Sequence, residues 1–210
     1  MNANDKKIII IEGADGTGKS SLSRHIQTLA NGKCHVLHSN YNKDLPGENN
    51  YKQHILMTKF ACKQFSPKFY TGNNIVVLDR NYISDMTYGI IGYGSDGDIH
   101  KKFNRLQHIF SIFHKAMLKN EDLQVYLIHC RLNTKKYFGV GSDGNNKEEL
   151  LDNDENNIIH RVYDELFYPL LYKNDNTENV QNLCAKFGIK FISFNFEEDK
   201  QYNKITEALN

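Results

Sequence analysis

Two kinds of apolar pattern alternate along this chain. Residues 8–11 form an unbroken run of isoleucine without polar alternation, as expected of a strand covered on both faces of a parallel sheet. Four further segments, 34–38, 74–79, 123–130 and 189–196, read as strands bounded by Gly, Asn or charged residues. Between them the spacing turns helical. After Ser20, Leu22, Ile26 and Leu29 share one face; over 99–118, Phe103, Leu106, Ile109, Phe110, Phe113 and Met117 recur at helical intervals, with Asp96 or Asp98 near the start. Core packing is the ordinary role of such a stripe. Another helix is predicted from Asn156 through Ile159, Val162 and Leu166 until Pro169 kinks or ends it, and a short one closes the chain over 200–209. Strand alternating with helix five times predicts an α/β fold: one five-stranded parallel sheet flanked by helices, as a single domain over residues 1–210.

The first strand runs directly into Gly13-Ala-Asp-Gly-Thr-Gly-Lys-Ser20, which has the form G-x-x-x-x-G-K-[ST]. A polyphosphate needs several backbone N–H groups converging on its oxygens, and only a loop with little side-chain bulk wraps closely enough. Gly13, Ala14, Asp15, Gly16, Thr17 and Gly18 are expected to form that loop, with Ser21 continuing it into a helix. Lys19 is expected to reach the β- and γ-phosphates and Ser20 to ligate Mg²⁺, while the helix directs its positive N-terminal end at the anion. These features predict a nucleoside triphosphate and Mg²⁺ as cofactors.

Composition narrows the partners. The 210 residues carry 26 basic and 25 acidic side chains for a net charge of +1, so no overall field favours nucleic acid or an anionic membrane. Neither a stable nucleic-acid complex nor membrane association is expected. Four cysteines, Cys34, Cys62, Cys130 and Cys184, lie scattered without a C-x-x-C pair, which suits reduced thiols and a cytoplasmic setting, or the host cytoplasm for a virus-encoded protein. No apolar leader or membrane-length window is present.

The strand over 75–79 ends in Asp79-Arg80. A carboxylate at the C-terminal rim of that strand would lie beside the phosphate loop and can hold Mg²⁺, directly or through water. A guanidinium next to it can grip a phosphate in bidentate fashion. Two anion sites imply a donor triphosphate and an acceptor that itself carries phosphate; the ordinary alternative is an Asp-Arg ion pair at a strand end. The segment over 139–157 is rich in Gly, Asn and charge, with only Leu150 and Leu151 as larger apolar residues toward its end. It reads as a mobile lid over the phosphates or as a plain surface loop.

Ile11-Glu-Gly-Ala-Asp-Gly-Thr-Gly-Lys-Ser-Ser21 and Leu78-Asp-Arg-Asn-Tyr-Ile-Ser-Asp-Met-Thr-Tyr88 resemble the two signature segments of the thymidylate kinase family of P-loop kinases, in flavour nearest the virus-encoded deoxynucleotide kinases. The resemblance implies Mg-ATP as donor, a five-stranded parallel sheet with a lid, and frequent dimerisation. It also implies that Asp15 contacts the acceptor sugar near its 3′-hydroxyl and that Arg80 holds the acceptor phosphate. Where the family has Arg-Glu-Pro-Gly-Gly-Thr after the second strand, this chain has His38-Ser-Asn-Tyr-Asn-Lys-Asp-Leu-Pro-Gly47. The family's lid arginines have no counterpart in 139–157, which leaves Arg131 and Arg161 as candidates for the transferring phosphoryl group.

The expected reaction is therefore transfer of the γ-phosphoryl group of ATP to a deoxynucleoside monophosphate, thymidylate-like, with Phe60, Tyr82 and Tyr88 as candidates for stacking on the base. A nucleoside kinase is the nearest alternative; it needs a carboxylate base beside the 5′-oxygen, and Glu12, Asp15, Asp44, Glu48 and Asp79 are available. A polynucleotide 5′-kinase or a nucleotide-dependent ATPase switch stands further off. A homodimer is possible, with the 99–118 helix as one candidate surface.

Overall fold

The computed structural model describes residues 6–39, 47–66, 72–91, 98–131, 153–168, 179–199 and 202–210. Its order is β1 (Lys6–Glu12), α1 (Lys19–Leu29), β2 (Cys34–His38), α2 (Gly47–Lys63), β3 (Ile75–Asp79), α3 (Tyr82–Ile90), α4 (Ile99–Lys119), β4 (Leu123–Arg131), α5 (Asn153–Phe167), α6 (Val180–Phe187), β5 (Lys190–Asn195) and α7 (Asn203–Leu209). All five strands run parallel in the order β2-β3-β1-β4-β5. The expected α/β architecture is the observed one. Its strands end within about two residues of the predicted limits, and α5 begins three residues earlier than expected.

Alternate isoleucines of β1 feed two cores, because successive side chains of a strand point to opposite faces. Ile8 and Ile10 pack with residues of α2 to α6, whereas Ile9 and Ile11 pack with Leu22 and Ile26 of α1 and Ile205 and Leu209 of α7. This two-sided burial explains the unbroken apolar run. The α4 stripe, Phe103, Leu106, Ile109, Phe110 and Phe113, is buried in the first of these cores. It therefore packs within the chain and is not a free dimer surface. Asp98 caps α4, its side chain accepting from His100 N and Lys101 N. Among the described residues no helix is long and apolar enough to cross a membrane.

The topology positions the site. The chain leaves β1 into α1 on one face and leaves β3 into α3 on the other, so the C-terminal ends of these neighbouring strands bound a crevice at a topological switch point. Ile11 pairs with Asp79, and Asp79 with His38, along that rim.

Candidate functional site

Backbone geometry accounts for the phosphate-loop glycines. Gly13, Gly16 and Gly18 all have positive φ, at 147°, 77° and 81°. At Gly13 an added Cβ would lie 2.2 Å from the carbonyl oxygen of Cys130, on the strand next to β1. Gly13→Ala is expected to cost about 2–5 kcal/mol through this clash and the left-handed backbone together, read as a lowered Tm. Thr17 Oγ1 donates to Ala14 O at 2.8 Å and closes the turn. Gly18 caps α1 without a side-chain hydrogen bond, so the first-turn N–H groups are left to a ligand or water.

Lys19 lies back across this loop, its Nζ donating to Ala14 O at 2.5 Å and standing 3.7 Å from Asp15 Oδ1. Burial lowers its pKa to about 8, the Arg80 charge adding to the effect and the Asp15 and Asp79 charges opposing it. An ammonium so poorly solvated is primed for an anionic partner.

Arg80 comes from the turn between β3 and α3 and has φ 68°, a left-handed conformation uncommon for a residue with a side chain. Its guanidinium pairs with the Asp15 carboxylate and reaches Tyr88 OH at 3.4 Å; Tyr88 OH lies 3.4 Å from the other Asp15 oxygen. Burial works to raise the Asp15 carboxyl, but the Arg80 and Lys19 charges outweigh it and hold Asp15 below its ordinary value. Loop, strand end and α3 thus converge in one cluster of Lys19, Asp15, Arg80 and Tyr88.

Asp79 is buried at the rim, its Oδ2 at 3.0 Å from His38 Nδ1, and it lies close enough to Lys19 to raise the lysine's pKa. Ser20 is exposed at the head of α1. One carboxylate and one hydroxyl beside a phosphate loop suit Mg²⁺, which takes few protein ligands and completes its shell with phosphates and water. Among the described residues no cluster of three or more His, Cys, Asp or Glu forms a separate metal site.

Other expected residues are placed differently. Phe60 is exposed on α2 and meets His35 edge-on at 6.0 Å. His35 pairs with Val76, three residues before Asp79 and about 10 Å down the strand from the rim. Tyr82 is fully buried in the core, between Tyr51 and His54 at 5.6 and 5.8 Å between ring centroids. Neither ring joins the cluster. Arg161 lies on the exposed side of α5 and bonds Glu165 at 2.9 Å. The residue before it, His160, is the one that reaches the phosphate loop, through a hydrogen bond with the Asp15 backbone. Burial first, then the Lys19 charge, lowers its pKa to about 4 and keeps the ring neutral. Arg131 follows Cys130, whose carbonyl occupies the space a Cβ at Gly13 would need; its guanidinium lies over the Tyr168 ring at 5.0 Å and 3.9 Å from Asp164. Its Nε makes no hydrogen bond among the described residues. The 139–157 segment lies outside the described residues up to 152, as do Asp44, Asp96 and Pro169.

Glu12, one of the carboxylates considered as a base, is engaged inside the fold. The carboxyl is fully buried, with Oε1 accepting from Asn81 N at 2.6 Å and Oε2 accepting from Ser84 Oγ at 2.6 Å. Burial pushes it up to about 7, against the hydrogen bonds from Ser84 and Asn81 and the Arg80 and Lys19 charges. Between the ordinary value of 4.5 and about 7 the folded state binds the extra proton, so stability falls as pH rises through that window. Thermal melts from pH 4.5 to 7.5 are expected to show this slope, and Glu12→Gln is expected to flatten it.

No protein-family model and no curated protein matches the chain. Among solved structures it is similar to the YorR protein of Bacillus subtilis in complex with phosphorylated GDP, at 14% identity and TM-score 0.56 over 96% of this chain and 95% of that one. A looser likeness, at 17% identity and TM-score 0.49 over 97% of this chain and 98% of the other, is to deoxyadenosine kinase from M. mycoides with products dCMP and dCDP. At these identities the likeness to YorR establishes the fold alone: a five-stranded parallel α/β sheet shared over nearly the whole of both chains.

Proposed function

We propose that the protein is an ATP-dependent phosphotransferase that moves the γ-phosphoryl group of Mg-ATP to a deoxynucleoside monophosphate, a thymidylate-like acceptor favoured, giving the diphosphate. The observation that carries this reading is the pairing of Arg80 with Asp15 inside the phosphate loop, within reach of Lys19. A second guanidinium beside a loop built for polyphosphate is suited to an acceptor's own phosphate, and Asp15 offers a carboxylate to a sugar hydroxyl. Phosphoryl transfer asks chiefly that two anions be held in line and their charge neutralised. Lys19 would bear on the donor's terminal phosphates, Arg80 on the acceptor phosphate, and Arg131, at the rim end of β4, on the group in transit. Mg²⁺, held by Ser20 and Asp79, would supply charge neutralisation between donor oxygens.

The nucleoside alternative requires a carboxylate base. Of its candidates, Glu12 is buried with both oxygens engaged, Asp15 pairs with Arg80, Asp79 with His38, and Glu48 with Arg105 at 2.5 Å. Each of these four is engaged as the structure stands and Asp44 lies outside the described residues, so the monophosphate reading rests on the paired anion sites rather than on the loss of every base. Supplying ATP and Mg²⁺ with a panel of nucleosides, nucleoside monophosphates and a DNA 5′-end tests the choice. Label is expected in the diphosphate product; label entering nucleosides alone would overturn the monophosphate reading, and ATP consumption without any labelled acceptor would point to a switch.

A further inference from the structure

We propose that Glu12 is a positioning residue that sets the direction of the Arg80 guanidinium by holding the peptide that follows Arg80. The proposal rests on the reading of Arg80 as the acceptor arginine.

The last two residues of β1 clamp Arg80 from both sides. Arg80 N donates to Ile11 O at 3.0 Å, and Asn81 N donates to Glu12 Oε1 at 2.6 Å. Between these two bonds Arg80 adopts φ 68°, a conformation that costs a non-glycine residue about 1–3 kcal/mol and persists only where its surroundings over-determine it. A backbone carbonyl supplies the first restraint whatever residue occupies the position. The second depends on the Glu12 side chain.

The carboxyl is itself held. Its Oε2 accepts from Ser84 Oγ of α3 at 2.6 Å, Ser84 Oγ meets Tyr163 OH of α5 at 2.8 Å, and Tyr163 OH lies 3.4 Å from Oε2. One buried group therefore ties together β1, the turn carrying Arg80, α3 and α5. Glu12 also immediately precedes Gly13. The residue that ends the strand feeding the donor loop is thus the residue that bonds the acceptor arm, and it fixes their separation. Such spacing matters for in-line transfer, where a misplacement of about 1 Å can cost about 100-fold in rate.

The test is a double-mutant cycle in the intact protein. Acceptor kcat/KM is measured with thymidine monophosphate, or whichever monophosphate the panel shows to be phosphorylated, and ATP affinity is measured separately by a fluorescent ATP analogue. Glu12→Ala leaves Asn81 N–H without its acceptor and is expected to lower acceptor kcat/KM about 10-fold or more, up to but not beyond the loss in Arg80→Ala, with ATP affinity within about threefold of the parent protein. Glu12→Gln keeps an oxygen for Asn81 N and an N–H for Ser84 Oγ, and is expected to stay within about threefold of the parent. Glu12→Ala added to Arg80→Ala is expected to cause no further loss, since nothing remains to be positioned.

A Glu12→Gln protein as impaired as Glu12→Ala, or losses that multiply in the double variant, would overturn the positioning role. An Arg80→Ala protein with unaltered acceptor kinetics would instead refute the acceptor reading itself, and the positioning role with it. Where Glu12→Ala melts below the assay temperature, Ser84→Ala goes through the same cycle. It removes the donor to Oε2 and is expected to give a smaller loss, about fivefold, that vanishes in the Arg80→Ala background. No loss, or one that persists there, would count against the proposal.

Discussion

Replacing Lys19 with alanine is expected to lower turnover by on the order of 10²–10³-fold, the usual scale for removing one charge-stabilising donor from a preorganised site, while Tm stays level or rises. The two halves of that expectation share one cause. Lys19 is 7% exposed, and burial is the chief reason its pKa falls to about 8. The folded protein thus carries an ammonium that water would solvate better. Between pH 8 and the ordinary 10.5 the unfolded chain binds more protons than the folded one, so stability rises with pH across that window and the burden is fully present below it. Deleting the amine removes both the burden and the slope. Melts at pH 7 and pH 9.5 alongside single-turnover kinetics check the claim. An active Lys19→Ala enzyme, or one that has lost its fold, would contradict it.

Arg80→Ala is expected to reduce acceptor kcat/KM about 10- to 100-fold, the worth of a charged hydrogen-bonding partner, with ATP affinity nearly unchanged. Arg80→Lys is expected to recover little, because an ammonium cannot reproduce the planar fork. The structure sharpens the expectation, since removing the guanidinium takes from the Asp15 carboxylate its closest cation and leaves it Lys19 and the Tyr88 hydroxyl. Asp15 should then titrate nearer its ordinary value, visible as an acid-side shift in the pH profile. Equal losses of ATP and acceptor binding would show that Arg80 serves the donor.

The sequence was most legible where chemistry restricts the choice of residue. The phosphate loop and the Asp79-Arg80 pair are spelled out, and the isoleucine run announced a strand buried on both faces. Helix α2 was expected only as an unbounded helix between the second and third strands, because Asn50, His54 and Thr58 are buried beside Ala61 while Leu56 and Phe60 are exposed, which blurs its apolar face. Phe60 is one of the two large apolar residues of α2 that face away from the core, which the local sequence does not reveal. Helix α3 is buried on almost every side and presents no periodic face to detect. His160 rather than Arg161 meets the phosphate loop because contact is decided by which face of α5 turns toward it, and charge in the sequence carries no information about that face. Glu12 could only be understood in three dimensions: its partners lie 69, 72 and 151 residues away.

The ion pair between Arg80 and Asp15 bears on discrimination. The chain supplies its own anion to the arginine, so under the proposed function a visiting phosphate would have to displace a carboxylate already in place. Orthophosphate or pyrophosphate can offer the displaced carboxylate only an O–H carried on an anion, which like-charge repulsion opposes. A nucleotide presenting both a phosphate and a sugar hydroxyl can satisfy the two partners at once. Under the proposed function, this internal competitor acts as a filter that keeps abundant small phosphates from blocking the acceptor side and admits molecules that engage both ends of the pair.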